Sequence, residues 1–135
     1  MIKITEAQWS IMELLWESSE PMTVSQICRA LEEKKNIVWK ANTVNTQLMR
    51  LAEHGVVTWR AEEETTAEIQ RSSKLPKAFY PLVDRDTCRR QEEQSFLDKM
   101  YQGSVKMMIA SFIKDDKLSA EELDEIRRML DEERE

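Results

Sequence analysis

The chain has 135 residues, of which 41% are apolar and 34% charged, with two glycines, three prolines and a net charge of −6. That length suits one domain, or one small domain with an oligomerisation segment, and the scarcity of breakers favours a mostly α protein. No run approaches the roughly 18–20 apolar residues of a membrane span, no positive region followed by an apolar run stands at the start, and Cys28 and Cys88 lack metal-ligand spacing, so a cytoplasmic protein without a signal peptide, with reduced thiols and no metal or other cofactor, is expected.

Thr5 opens the first predicted helix. Thr5-x-x-Gln8 has the form of a capping box, in which hydroxyl and amide each satisfy a backbone N–H of the other. Trp9, Met12, Leu15 and Trp16 follow at helical spacing, with Ile11 and Leu14 widening the face. Ser18-Ser-Glu-Pro21 breaks it. Thr23-x-x-Gln26 is a second capping box, starting a helix to about Glu33 with Val24, Ile27, Cys28 and Leu31 inward. Cys28 serves there as a small buried apolar group. Lys34-Lys-Asn36 is a polar turn, and Ile37-Val-Trp39 either pairs as a brief strand or packs under the next helix.

Lys40 to Gly55 reads as one amphipathic helix. Val44, Leu48 and Leu51 fall at i, i+4 and i+7 on one face. At steps of about 100°, Asn42, Thr46 and Met49 fall opposite, flanked by Thr43, Asn45 and Arg50. Short amides and hydroxyls are poor helix formers. Together with Arg they can hydrogen-bond base edges and phosphates. Gly55 ends the helix, as a residue that tolerates the left-handed conformation can.

After Gly55 the period drops to two. Val57 and Trp59 alternate with Val56, Thr58 and Arg60 as in a strand. Residues 62–77 read as a loop, acidic at Glu62 to Glu64 and Glu68, then basic at Arg71, Lys74 and Lys77. Ala78-Phe-Tyr-Pro81 is the returning strand. Three helices and a hairpin, in that order, make a winged helix-turn-helix.

Asp84 to about Tyr101 is helical, ending in apolar Phe96, Leu97, Met100 and Tyr101. Past Gly103-Ser104, Val105, Met108, Ile109, Phe112 and Ile113 line a second amphipathic helix. Ser119-x-x-Glu122 caps a third, with Leu123, Ile126, Met129 and Leu130 on its apolar side. A tail of this size cannot bury these groups alone. A homodimer covers them most economically, and helix-turn-helix proteins generally work in pairs on two-fold sites.

Charge is unevenly spread. Residues 1–33 carry 2 basic and 6 acidic side chains, residues 34–81 carry 8 and 5, and residues 82–135 carry 10 and 15. The basic excess thus lies on the third helix and hairpin. Screening limits the reach of distant acids to about 8–10 Å, so local sign governs phosphate contact.

Ile4-Thr-Glu-Ala-Gln-Trp9 with Ile11-Met12 and Leu15-Trp16, Trp39 with Thr43-Val44, Leu48 and Arg50-Leu51, then Gly55, Tyr80-Pro81, Phe96-Leu-x-Lys-x-Tyr-x-Gly103 and Leu118-Ser-x-Glu-Glu-Leu123 run nearly end to end. In order and spacing they resemble the BlaI/MecI family of bacterial penicillinase repressors. The resemblance implies a winged-helix DNA-binding domain at 1–82 and a three-helix dimerisation domain at 83–135. It implies a homodimeric repressor on a palindromic operator, controlling β-lactam resistance or a related stress response. On that pattern the helix from about Ala41 to Glu53 enters the major groove. Asn42, Thr43, Asn45 and Thr46 face bases, and Lys40, Arg50 and Arg60 face phosphates. Arg71, Lys74 and Lys77 add wing contacts. Phe96, Leu97, Met100, Tyr101, Val105, Met108, Ile109, Phe112, Leu123, Ile126, Met129 and Leu130 form the dimer contact.

Antibiotic-responsive members of the family are cut ahead of a Phe by a signalling pathway with a membrane sensor-protease; the matching bond is Ser111–Phe112, where the family has Asn at the first position. Many members begin the recognition helix with Ser-Pro, where this chain has Lys40-Ala41, and carry a basic residue where Asn45 stands. Copper-responsive members end in clustered cysteines; here no Cys follows Cys88.

An enzyme is not expected. Catalysis needs converging groups. His54 is the lone histidine and sits at a helix end, where it favours the dipole. Glycines at 55 and 103 make no phosphate loop. The alternative to a repressor is a winged-helix interaction module without specific DNA binding, which the acidic balance would suit.

Overall fold

The computed structural model describes residues 3–61 and 76–134. Segment 62–75, with Arg71 and Lys74, lies outside the described residues. Among the described residues the order is α1 (Glu6–Glu17), β1 (Met22–Thr23), α2 (Val24–Lys35), α3 (Ala41–Glu53), β2 (Val57–Ala61), β3 (Lys77–Pro81), α4 (Arg85–Tyr101), α5 (Val105–Lys114) and α6 (Ala120–Arg134). They fall into two units, residues 1–91 and 92–135. This mostly helical chain with a small antiparallel sheet has the winged helix-turn-helix order followed by further helices.

Three capping boxes form as their spacing requires. Gln8 N–H donates to Thr5 Oγ1 at 3.2 Å and Thr5 N–H to Gln8 Oε1 at 3.1 Å. Thr23 and Gln26 repeat the exchange at 2.9 and 3.2 Å. Ser119 and Glu122 do so at 3.1 Å each way. Such a cap is worth about 1 kcal/mol. Two further caps carry no box signature. The Ser104 hydroxyl accepts from Met107 N–H at 3.0 Å. Asp84 accepts from the Thr87 hydroxyl at 2.6 Å and its N–H at 3.1 Å, and those bonds, hydroxyl first, hold its pKa below the usual carboxylate value.

The core of residues 1–91 is apolar and continuous. Ile11 and Met12 of α1, Ile27 and Leu31 of α2, Val44, Leu48 and Leu51 of α3, and Phe79 of β3 are all sealed from solvent. Each such side chain contributes about 1.5–3 kcal/mol by leaving water. Trp9 and Trp16 stand at the rim, edge to face at 5.3 Å. Cys28 is half-buried rather than buried, and that burial pushes its thiol pKa up.

The third strand was not anticipated. Met22–Thr23 pairs antiparallel with β3, Met22 opposite Phe79 and Thr23 opposite Ala78, giving the order β1-β3-β2. Ile37-Val-Trp39 forms no strand. Asn36, at φ 55°, turns the chain, and Val38 is left 77% exposed while Ile37 and Trp39 pack on the core. Of the two options for that run, packing is the one realised.

α3 ends in a paired motif. Gly55 N–H donates to Ala52 C=O and Val56 N–H to Leu51 C=O, both at 3.0 Å, with Gly55 at φ 73°. Leu51 and Val56 are both buried, the apolar contact that accompanies such an ending.

Residues 92–134 differ in kind. No side chain from Glu92 to Glu133 is buried. Tyr101 stacks edge to face with Phe96 at 5.9 Å and with Phe112 at 6.3 Å. Met100, Met129 and Leu130 remain 53–62% exposed. No helix among the described residues is long and apolar enough to cross a membrane.

Candidate nucleic-acid interface

α3 is held by three apolar anchors, Val44, Leu48 and Leu51, each at most 1% exposed. Those anchors dictate which side chains face out. Asn42, Thr43, Asn45, Thr46 and Arg50 are all exposed. Met49, expected among them, is half-buried. It lines a groove with Ala52, Val57, Trp59 and Leu82. The β-hairpin covers that flank of the helix, a tertiary fact invisible to helical periodicity.

Within the outward face, the Thr46 hydroxyl donates to the Asn42 carbonyl at 2.9 Å. Thr46 therefore offers a methyl group and acceptor lone pairs rather than a donor. The Asn42 side chain makes no hydrogen bond among the described residues, so its amide is open on both edges. Lys40 is the N-cap residue of α3, and no side chain caps that end. A cation thus stands beside uncapped amides at the start of α3.

Two further basic residues sit on the sheet. Arg60, on β2 opposite Ala78, is exposed. Lys77, on β3 opposite Ala61, holds its ammonium 4.6 Å over the Trp59 ring. That contact fixes a flexible cation at the base of the hairpin. Lys35 pairs with Glu13 at 3.1 Å and is not available as a loose surface charge. Among the described residues no cluster of three or more His, Cys, Asp or Glu groups could hold a metal ion.

On the second unit, Phe96, Met100, Val105, Ile109, Met129 and Leu130 are exposed, and Leu97, Tyr101, Met108, Phe112, Leu123 and Ile126 are half-buried. Ile113, read as part of the apolar side of α5, and Met107, which was not, add exposed apolar surface. Ser111 and Phe112 are half-buried within α5, whose carbonyl at Phe112 accepts from Lys117 N–H at 3.0 Å.

Gln47 went unnoticed in the sequence. It is half-buried on the flank of α3, and its Oε1 accepts from Gln8 Nε2 of α1 at 3.1 Å. Only a fold that brings residues 39 apart together reveals it.

A family model described as penicillinase repressor matches residues 4–132. The chain is 25% identical over 130 residues to the penicillinase repressor of Bacillus licheniformis, covering 96% of this chain and 91% of that protein. It is 22% identical over 128 residues to the methicillin resistance regulatory protein MecI of Staphylococcus aureus (strain N315), covering 95% and 93%. With the penicillinase repressor of Staphylococcus aureus it shares 23% over 132 residues, covering 97% and 93%.

Proposed function

The chain belongs to the penicillinase repressor family and is a transcriptional repressor, and from that premise we propose how it engages DNA. Residues 1–82 act as the DNA-binding domain, with α3 in the major groove. Residues 83–135 act as the dimerisation domain, so that two copies in the cytoplasm address a palindromic operator. One observation carries this reading: α3 turns Asn42, Thr43, Asn45, Thr46 and Arg50 to solvent while its apolar face is sealed in the core. A rigid helix with outward amides and hydroxyls suits base readout.

Asn42, Thr43, Asn45 and Thr46 take the base edges. Lys40, Arg50, Arg60 and Lys77 take phosphates, joined by Arg71 and Lys74 of the wing. The dimer is supported by the apolar side chains of α4 to α6, which a lone protomer leaves in water. Burial of that surface in a symmetric interface supplies the drive the tail lacks.

Signal release, on the same reading, is a cut at Ser111–Phe112 by a protease of a membrane sensor pathway. The bond lies in a helical turn, so α5 must open locally before a protease can bind it extended. An interaction module without DNA binding is not favoured, since the family model and two of the similar proteins carry the name penicillinase repressor.

The test is a footprint of the full chain on DNA flanking its own gene at two salt concentrations. A two-fold protected site that weakens with salt is the expected result. No protection at either salt would refute the proposal.

A further inference from the structure

Gln8 is the one buried polar side chain among the described residues, at 5% exposure. Its amide has two ends, and both are in use. Oε1 accepts from Thr5 N–H at 3.1 Å in the helix cap, and Nε2 donates to Gln47 Oε1 at 3.1 Å. The cap fixes which end points where, because a backbone N–H can only donate. Gln8 must therefore present N–H to Gln47. Gln47 must in turn present oxygen, which leaves its own NH2 directed away from Gln8. Reversing Gln47 would set two donors face to face.

Gln47 lies roughly a third of a turn round from the Asn42–Thr46 face. That is too far for the groove floor and suited to its wall. Thr43, Gln47 and Arg50 fall at i, i+4 and i+7, a single stripe along α3. Thr43, at the head of the stripe, reaches base edges; below it an amide NH2 and a guanidinium, both donors, stand side by side. Phosphate oxygens, which only accept, suit such donors, and the place of Gln47 on the flank of α3 directs it to the backbone rather than to base edges.

We propose that Gln47 Nε2 donates to a backbone phosphate of the bound duplex, and that Gln8 is the positioning residue that turns that NH2 outward. The inference rests on the DNA-binding reading above and adds a contact to it. The cap of α1 thereby sets the sign of the group that α3 shows to DNA.

The experiment uses the full chain on duplexes selected from a random pool, with ethylation interference to map phosphates. Gln47→Leu keeps the side-chain bulk and removes the amide. It is expected to weaken binding by about five- to tenfold per half-site, the scale of one hydrogen bond. The loss should be equal on selected and random DNA, and the salt slope unchanged, because a neutral amide displaces no counterion. Interference at one phosphate per half-site should disappear.

Gln8→Glu keeps the capping acceptor but has no N–H to give when ionised, so Gln47 reverses and shows oxygen instead. It should lose the same phosphate, and should cost no further DNA affinity when added to Gln47→Leu, with circular dichroism at the binding temperature showing each variant folded. Additive losses in that double variant would mean simple charge repulsion and would refute the positioning role. If the unaltered protein binds and Gln47→Leu binds equally with the same interference map, the inference falls while the DNA-binding reading stands. If the unaltered protein binds no DNA, the reading beneath it falls first.

Discussion

The hydroxyl of Thr46 donates to the carbonyl of Asn42, 2.9 Å away and one turn earlier on α3. This bond decides what the centre of the outward face can read. A hydroxyl occupied in this way cannot donate to a base, but its methyl group can lie against a thymine methyl. Thr46→Val should therefore weaken operator binding less than Asn42→Ala. For Asn42→Ala the expected loss is about 1–3 kcal/mol in preference for operator over random DNA. Competition binding on the two DNAs measures both. Equal loss on operator and random DNA would count against base readout by Asn42.

Arg60 extends from an exposed strand position on β2. If it neutralises a phosphate, Arg60→Ala weakens binding to all sequences alike. It also lowers the slope of log K against log salt by about one per protomer. A filter-binding titration across salt reads this directly. A changed sequence preference would show that the residue does something else.

Leu130 and Phe112 separate assembly from folding. Leu130 is 61% exposed in the protomer, so Leu130→Asp costs little before association. Sedimentation should show dissociated protomers of unchanged helicity. Phe112 packs on Tyr101 at 6.3 Å, so Phe112→Asp should lower helicity as well as break the dimer. A Leu130→Asp protein that sediments as the wild type would remove α6 from the interface.

Gly55 stands at φ 73°, and an added Cβ there would meet nothing within 4 Å. Strain alone sets the effect of Gly55→Ala, about 1–2 kcal/mol of stability lost. Urea denaturation gives the value. A neutral result would mean the helix end relaxes into another turn.

Asp84 titrates below the usual carboxylate value because Thr87 bonds its ionised form. A depressed folded pKa gives stability that is present in full above the unfolded value, about 3.9. It is lost as pH falls through the lower folded value. Acid should thus fray the start of α4, and Asp84→Asn should flatten the pH dependence in that window. Amide exchange at Thr87 followed from pH 5 to 2 tests it.

The local grammar was legible without coordinates. Thr5, Thr23 and Ser119 announced helix starts because a capping box spans only four residues. Val44, Leu48 and Leu51 announced the buried side of α3 because helical period is a property of neighbours. The order of three helices and a hairpin followed from those signals, while the family resemblance rested on particular residues in order, among them Trp39, Thr43-Val44 and Tyr80-Pro81. What tertiary structure decided are relations between distant residues. Met22–Thr23 is a strand only because β3 lies beside it; two residues carry no period of their own. Met49 is half-buried because the hairpin crosses its flank, not because of its place on a helical wheel. Gln8 meets Gln47 through a hydrogen bond across 39 residues. A chain encodes such a contact jointly in every segment that shapes the core, so no single stretch of sequence displays it.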